Sequence, residues 1–135
     1  MQQITFRLKP GQLLKEEIEK VAIDKNIQAG VLLSIVGSLS TAVLRMAGAK
    51  PDKQIINTYE GPFEIVSGTG TISKDGCHVH ISISDKEGRV LGGHLKDGCI
   101  VEVTAEIVIG VFENVHYKRI IDINTGFPEL ESEQL

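Results

Sequence analysis

The sequence predicts an α+β domain, a mainly antiparallel β-sheet with one long helix packed on it. Three observations carry that prediction. Apolar and polar residues alternate in short segments along most of the chain. Turn signals, Asp75-Gly76, Asp85-Lys86-Glu87-Gly88 and Lys96-Asp97-Gly98, recur at hairpin spacing. A single segment, GQLLKEEIEKVAIDKN, carries strong helical periodicity. At 135 residues the chain suits one compact domain and is too short for two comfortable ones.

The elements follow in order. Ile4, Phe6 and Leu8 alternate with polar neighbours and make a first strand, which Pro10-Gly11 ends. In the helix, Leu14, Ile18, Val21 and Ala22 form an apolar stripe, with Lys15, Glu16, Glu19 and Lys20 opposite; Asn26 and Gly30 bracket its exit. VLLSIVGSLSTAVLRMAG reads as two strands, or as one bent near Gly37-Ser38. Gln54–Tyr59 is a short strand and Phe63–Ser73 another. CHVHISIS, RVLGGHL and the long, apolar CIVEVTAEIVIGVF continue the sheet, the last as a central strand. HYKRIIDIN is expected to close it, giving about eight or nine strands in all. The reading divides the chain into a domain over residues 1–128 and an acidic tail over 129–135, expected to fray. One helix cannot cover all of this apolar sheet, which favours a homo-oligomer.

Composition excludes several functions. Apolar residues make up 41% and charged residues 24%, the balance of a soluble globular chain. No run is long enough to span a bilayer, and the N-terminus lacks a signal-peptide pattern, so a cytoplasmic location without a membrane partner is expected. Cys77 and Cys99 are read as two reduced thiols at strand starts. The formal net charge is −4 and aromatics are only 4%, which disfavours direct DNA binding and single-strand stacking alike. The available cations, Arg45, Lys50, Lys53, Lys118 and Arg119, are scattered.

The strongest functional signal is CHVHISISDKEGRVLGGHL, which holds three of the four histidines. On a strand His78, His80, Ser82 and Ser84 share one face, and Val79, Ile81 and Ile83 the other, core-like face. A five-residue loop, Asp85–Arg89, sets Ser84 opposite Val90 and therefore His80 opposite His94. Opposed side chains start about 5 Å apart, and His78 is a diagonal step away. Three imidazoles then converge as ligands of a divalent metal, zinc or zinc-like, with a position left open. Gly92 and Gly93 leave room beside the cluster, and a backbone bulge there is expected to aim His94. A four-residue loop would instead set His94 opposite Val79, on the other face, where the histidines are only a solvated strand edge. The sequence leaves the loop length open. His116 stands alone and is read as structural.

These residues also carry a resemblance. GSLSTAVLR at Gly37–Arg45, YEGPFEIVSGTGTIS at Tyr59–Ser73, ISISDKEGRVLGGHL and AEIVIGVF at Ala105–Phe112 occur in the order of the PPC domain, the plant and prokaryote conserved domain that plants join to AT-hook segments. The resemblance covers about three-quarters of the chain. It implies an antiparallel α/β fold and a homotrimer. In plant members a Gly-Arg-Phe-Glu-Ile segment contacts other transcription factors; here Pro62 replaces the arginine, while Gly61, Phe63, Glu64 and Ile65 remain. Phe63 and Ile65 read as core, and Glu64, on the opposite face, as a pocket or inter-subunit contact. The chain contains no Arg-Gly-Arg-Pro hook. Its His-x-His and Gly-Gly-His pattern resembles short prokaryotic members instead.

Two functions follow as expectations. One is a homotrimeric metal protein with His78, His80 and His94 in a pocket near the subunit boundary. The other is a DNA-associated regulatory module without an AT-hook. No catalytic residue is assigned; Glu64, Asp85, Glu102 and Glu106 are the nearby carboxylates in sequence. If the centre is catalytic, hydrolase-like or lyase-like metal chemistry is expected.

Overall fold

The computed structural model describes residues 1–135. Its elements in chain order are β1 (Gln2–Leu8), α1 (Leu14–Asp24), β2 (Gly30–Arg45), β3 (Ile56–Ser73), β4 (Gly76–Ser84), β5 (Val90–Leu95), β6 (Ile100–Val111), β7 (Val115–Ile121) and β8 (Pro128–Gln134). The α+β expectation holds, with eight strands and one helix. The helix has 11 residues, about three turns, and is shorter than the segment that suggested it. Its apolar stripe is as read: Leu14, Ile18 and Ala22 are fully buried. Glu16 and Glu17 in its first turn complement the positive end of the helix dipole. Asn26, at φ 50, turns the chain out of the helix.

Six strands form one antiparallel sheet in the order β1-β6-β2-β3-β4-β5. β6 is interior, as its apolar sequence demands. β2 is one strand, not two, and its register against β6 shifts between Gly37 and Leu39. Gly37 lets the backbones approach closely there, because a Cβ on it would lie 2.0 Å from the Thr104 carbonyl oxygen. The bend allows the far end of β2 to meet β5 as well as β3, pairing Leu44 with Leu95 and Arg45 with His94. The sheet thereby curls back on itself around one core of buried side chains. The two segments expected between Gln54 and Ser73 are likewise one continuous strand, β3. No helix is long and apolar enough to cross a membrane.

The C-terminus corrects the sequence reading twice. β7 does not close the main sheet, and the acidic end does not fray: β7 and β8 pair with each other as a separate two-stranded sheet, Val115 with Gln134 through Ile121 with Pro128. The segment had no apolar alternation to announce β8, and every residue of that strand is exposed. Its backbone is nonetheless satisfied by β7, so it need not fray. β7 is tied to the body of the fold by the Tyr117 amide, which donates to the Gln28 carbonyl at 2.9 Å.

Candidate metal centre

The β4–β5 hairpin determines the site. Val79, Ile81 and Ile83 are 1%, 3% and 0% exposed, so this face of β4 is core and the histidine face is turned outward. The loop is the five-residue form: the Asp85 amide donates to the Arg89 carbonyl at 3.0 Å, and Asp85 Oδ1 accepts from the amides of Glu87 and Arg89. Ser84 pairs with Val90, and the register runs without a shift to His80 opposite His94. The expected bulge at Gly92-Gly93 is therefore absent. Those glycines serve backbone approach instead. A Cβ on Gly92 would lie 2.5 Å from the Ile81 carbonyl oxygen, and one on Gly93 2.8 Å from that of Arg45. Both also line a small hollow beside His80.

The three imidazoles converge. One ligand nitrogen from each of His78, His80 and His94 lies within 4.8 Å of the others. His78 Nε2 and His80 Nε2 are 3.1 Å apart. Two nitrogens at 2.0–2.1 Å from a shared ion are separated by about 2.9–3.4 Å, depending on the angle at the ion. The pair thus has the spacing of co-ligands; without an ion the contact is an N–H···N hydrogen bond. Ring centroids are 4.6 Å apart for His78 and His94, and 5.5 Å for His80 and His94.

The surroundings favour the neutral form of His78 and His94. Burial pushes the pKa of His94 down to about 3, helped by the Arg45 guanidinium and then by the other two imidazoles. Burial also lowers His78, with His80 and Arg119 adding to it. Neutral imidazole is the form that ligates metal. His116 is elsewhere and engaged: its Nε2 lies 3.1 Å from Asp75 Oδ2.

The cluster forms part of the wall of a cavity of about 850 Å³. α1 contributes Lys15 and Glu19 to the wall, β2 Arg45, β7 Arg119, the β7–β8 turn Phe127, and β8 Glu129. Arg45 Nη2 donates to His94 Nδ1 at 3.2 Å, and its guanidinium lies 5.1 Å from the centre of the Phe127 ring. Arg119 Nη2 donates to Thr71 Oγ1 at 2.8 Å, and Thr71 is the cross-strand partner of His78. Of the carboxylates considered from sequence, Glu64, Asp85, Glu102 and Glu106 do not line the cavity; Glu19, Asp75 and Glu129 do. Glu64 is exposed on β3, opposite Ser84 and away from the histidines. Sequence reasoning missed the role of Arg45 and Arg119 at the centre. In the sequence both are only scattered cations, because the β2–β5 contact and the β7–β8 hairpin carry no local signal.

Comparisons with known proteins agree with this architecture. The model of the Plants and Prokaryotes Conserved (PCC) domain matches residues 1–113. The chain is 41% identical over 130 residues to a bifunctional protein GlmU of a Synechococcus strain, covering 96% of this chain and 20% of that protein. It is 28% identical over 90 residues, 60% of this chain, to AT-hook motif nuclear-localized protein 13 of Arabidopsis thaliana, again matching 20% of that protein. The chain thus spans about a fifth of the length of the curated relatives it matches. A hypothetical protein of Salmonella superposes with a TM-score of 0.91 at 31% identity, covering 98% of this chain and 94% of that one. A protein from Archaeoglobus fulgidus described as metal-containing superposes at 0.82 with 27% identity, covering 97% and 94%.

Proposed function

The chain belongs to the Plants and Prokaryotes Conserved domain family, and from that premise we propose that it is a homotrimeric divalent-metal protein. The ion, zinc or zinc-like, is held by His78, His80 and His94 in a pocket near the subunit boundary. The observation that carries this reading is the convergence of three imidazoles, with ligand nitrogens within 4.8 Å of one another. The metal-containing description of the Archaeoglobus neighbour supports it.

Assembly is supported by apolar side chains that the single chain leaves exposed in the body of the sheet. Leu33 and Val36 on β2 are 49% and 57% exposed, and Val66 on β3 and Val103 on β6 are similar. Glu64, exposed on β3, is assigned to a subunit contact. Cys77 and Cys99 are both free, in keeping with a cytoplasmic protein.

A bound divalent ion would supply Lewis acidity, polarising a ligand oxygen. The chain's own groups do the rest. The core face of β4 holds the histidine strand in register, Arg45 and Arg119 set a positive wall, and Glu129 offers an exposed carboxylate at the rim. No catalytic residue is assigned.

Metal analysis of protein purified without added zinc tests this reading. About one ion per chain is expected, falling below a tenth in the His80→Ala, His94→Ala double variant and unchanged in His116→Ala. Metal-free wild type that also fails to take up zinc on titration would end the proposal. The trimer is tested separately, by light scattering.

The AT-hook relative favours a second reading, a DNA-associated module. Its weakness is charge: the net value is −4, and three of the five cations considered for it, Arg45, Lys50 and Arg119, face a concave cavity rather than a flat surface. A salt-sensitive duplex shift would support it; no binding at low salt would remove it.

A further inference from the structure

The cavity has a charge balance opposite to that of the chain. Five cationic side chains face it against three carboxylates, in a protein of net charge −4. The carboxylates are also partly spoken for. Glu19 is held by Lys15 at 2.7 Å, which takes one of the five cations with it, and Asp75 by His116 at 3.1 Å. Arg45 and Arg119 are both half-buried, yet no carboxylate lies within ion-pair distance of either. Their side-chain acceptors are one imidazole nitrogen and one threonine hydroxyl, so most donors on each fork lack a protein partner. Half-buried guanidinium groups without counter-ions are suited to an anion from outside, since their planar forks match carboxylate and phosphate oxygens. The volume, about 850 Å³, falls in the range of small-molecule sites.

The contact between Arg45 and His94 adds a coupling. A guanidinium only donates, so His94 Nδ1 accepts and the ring's proton sits on Nε2. If His94 ligates through Nδ1, the lone pair that Arg45 uses is taken. If it ligates through Nε2, the proton must move to Nδ1, and donor then faces donor. Either mode releases Arg45 from His94.

We propose that this cavity is the receptor for a small oxyanion, a carboxylate or phosphate gripped by Arg45 and Arg119, and that ligation by His94 frees Arg45 to hold it. The coupling rests on the metal reading given above; the anion site itself does not. By linkage the effect is mutual: the anion tightens the metal as the metal tightens the anion.

The test is calorimetric titration of the full chain with inorganic phosphate and with succinate, in metal-free and zinc-loaded forms, with zinc content followed throughout. Wild type, Arg45→Met, Arg119→Met and the charge-keeping Arg45→Lys are compared after thermal melts confirm that each is folded. Zinc-loaded wild type is expected to bind one of the two anions at least tenfold more tightly than either methionine variant, and more tightly than metal-free wild type. The preferred anion identifies the source, carboxylate or phosphate. Arg45→Met is also expected to bind zinc more tightly than wild type when no anion is present, because the competing donor is gone. Stoichiometric zinc with anion binding that is undetectable, or equal in all variants, overturns the anion site and leaves the metal reading standing. Arginine-dependent anion binding in a chain that takes up no zinc supports the anion site and overturns the coupling together with the metal reading.

Discussion

Two hairpins border the cavity, and they share turn chemistry while differing in what fixes them. β4–β5 and β7–β8 both turn on an aspartate. Asp85 Oδ1 accepts from two amides in the first, and Asp122 Oδ1 accepts from the amides of Asn124 and Thr125 in the second. Beyond the turn they part. β4 has a fully buried face of Val79, Ile81 and Ile83, whereas every residue of β8 is exposed. With β4 held by β3, a one-residue slip in β4–β5 would drive Leu91 and Leu95 outward and His94 into the core. A slip in β7–β8 would exchange one exposed side chain for another. Register is thus strongly specified where it builds the three-histidine cluster, and weakly specified where it only delivers Arg119 and Glu129 to the rim.

The sharpest way to break this comparison is to change loop length. Deleting Lys86 is expected to destabilise the protein by at least about 3 kcal/mol, the scale of displacing more than one buried side chain, and to abolish metal uptake. Deleting Thr125 is expected to leave the metal in place and to cost less than about 1 kcal/mol. Urea unfolding and metal analysis read both, and equal losses from the two deletions would erase the distinction.

Side-chain truncation should show the same asymmetry on a smaller scale. Ile83→Ala removes a fully buried side chain of β4 and is expected to cost roughly 2–5 kcal/mol. Leu130→Ala on β8, where Leu130 is 41% exposed, is expected to cost no more than about 0.5 kcal/mol.

The smallest effects are those of pH, and they run in different directions at the two places. Burial pushes the Cys99 thiol, behind the β5 end of the sheet, up to about 11 from 9.0. Above pH 9 the unfolded chain sheds this proton first, so the contribution is full below pH 9 and lost as pH climbs towards 11. Alkylation of Cys99 should stay slow until that window, together with a falling urea midpoint. In β7–β8 the hydrogen bond from Lys118 holds the Glu133 carboxyl below its ordinary value, and the same bond raises Lys118. Glu133 favours the hairpin above its unfolded pKa and loses that effect as pH falls through its folded value. Both groups are solvent-exposed, so added salt should flatten this acid response while leaving the Cys99 response intact. Amide exchange of β8 at low pH, with and without salt, measures it.

The sequence by itself determined whatever depends on neighbours along the chain. The periodicity of α1, the two faces of β4 and the His78-His80 pair were legible because helix and strand periods are local, and the bend of β2 at Gly37 was legible as one of two readings. The approach of His94 was legible as one of two loop registers. Tertiary structure decided between them, because burying Leu95 on the same core face as Val79, Ile81 and Ile83 admits only one. It alone also decided that β2 reaches β5, which sets Arg45 against His94, and that the C-terminal hairpin walls the cavity and brings in Arg119. Those contacts join residues 49 and 48 positions apart, and no local pattern of hydrophobicity or turn chemistry encodes a meeting at that separation.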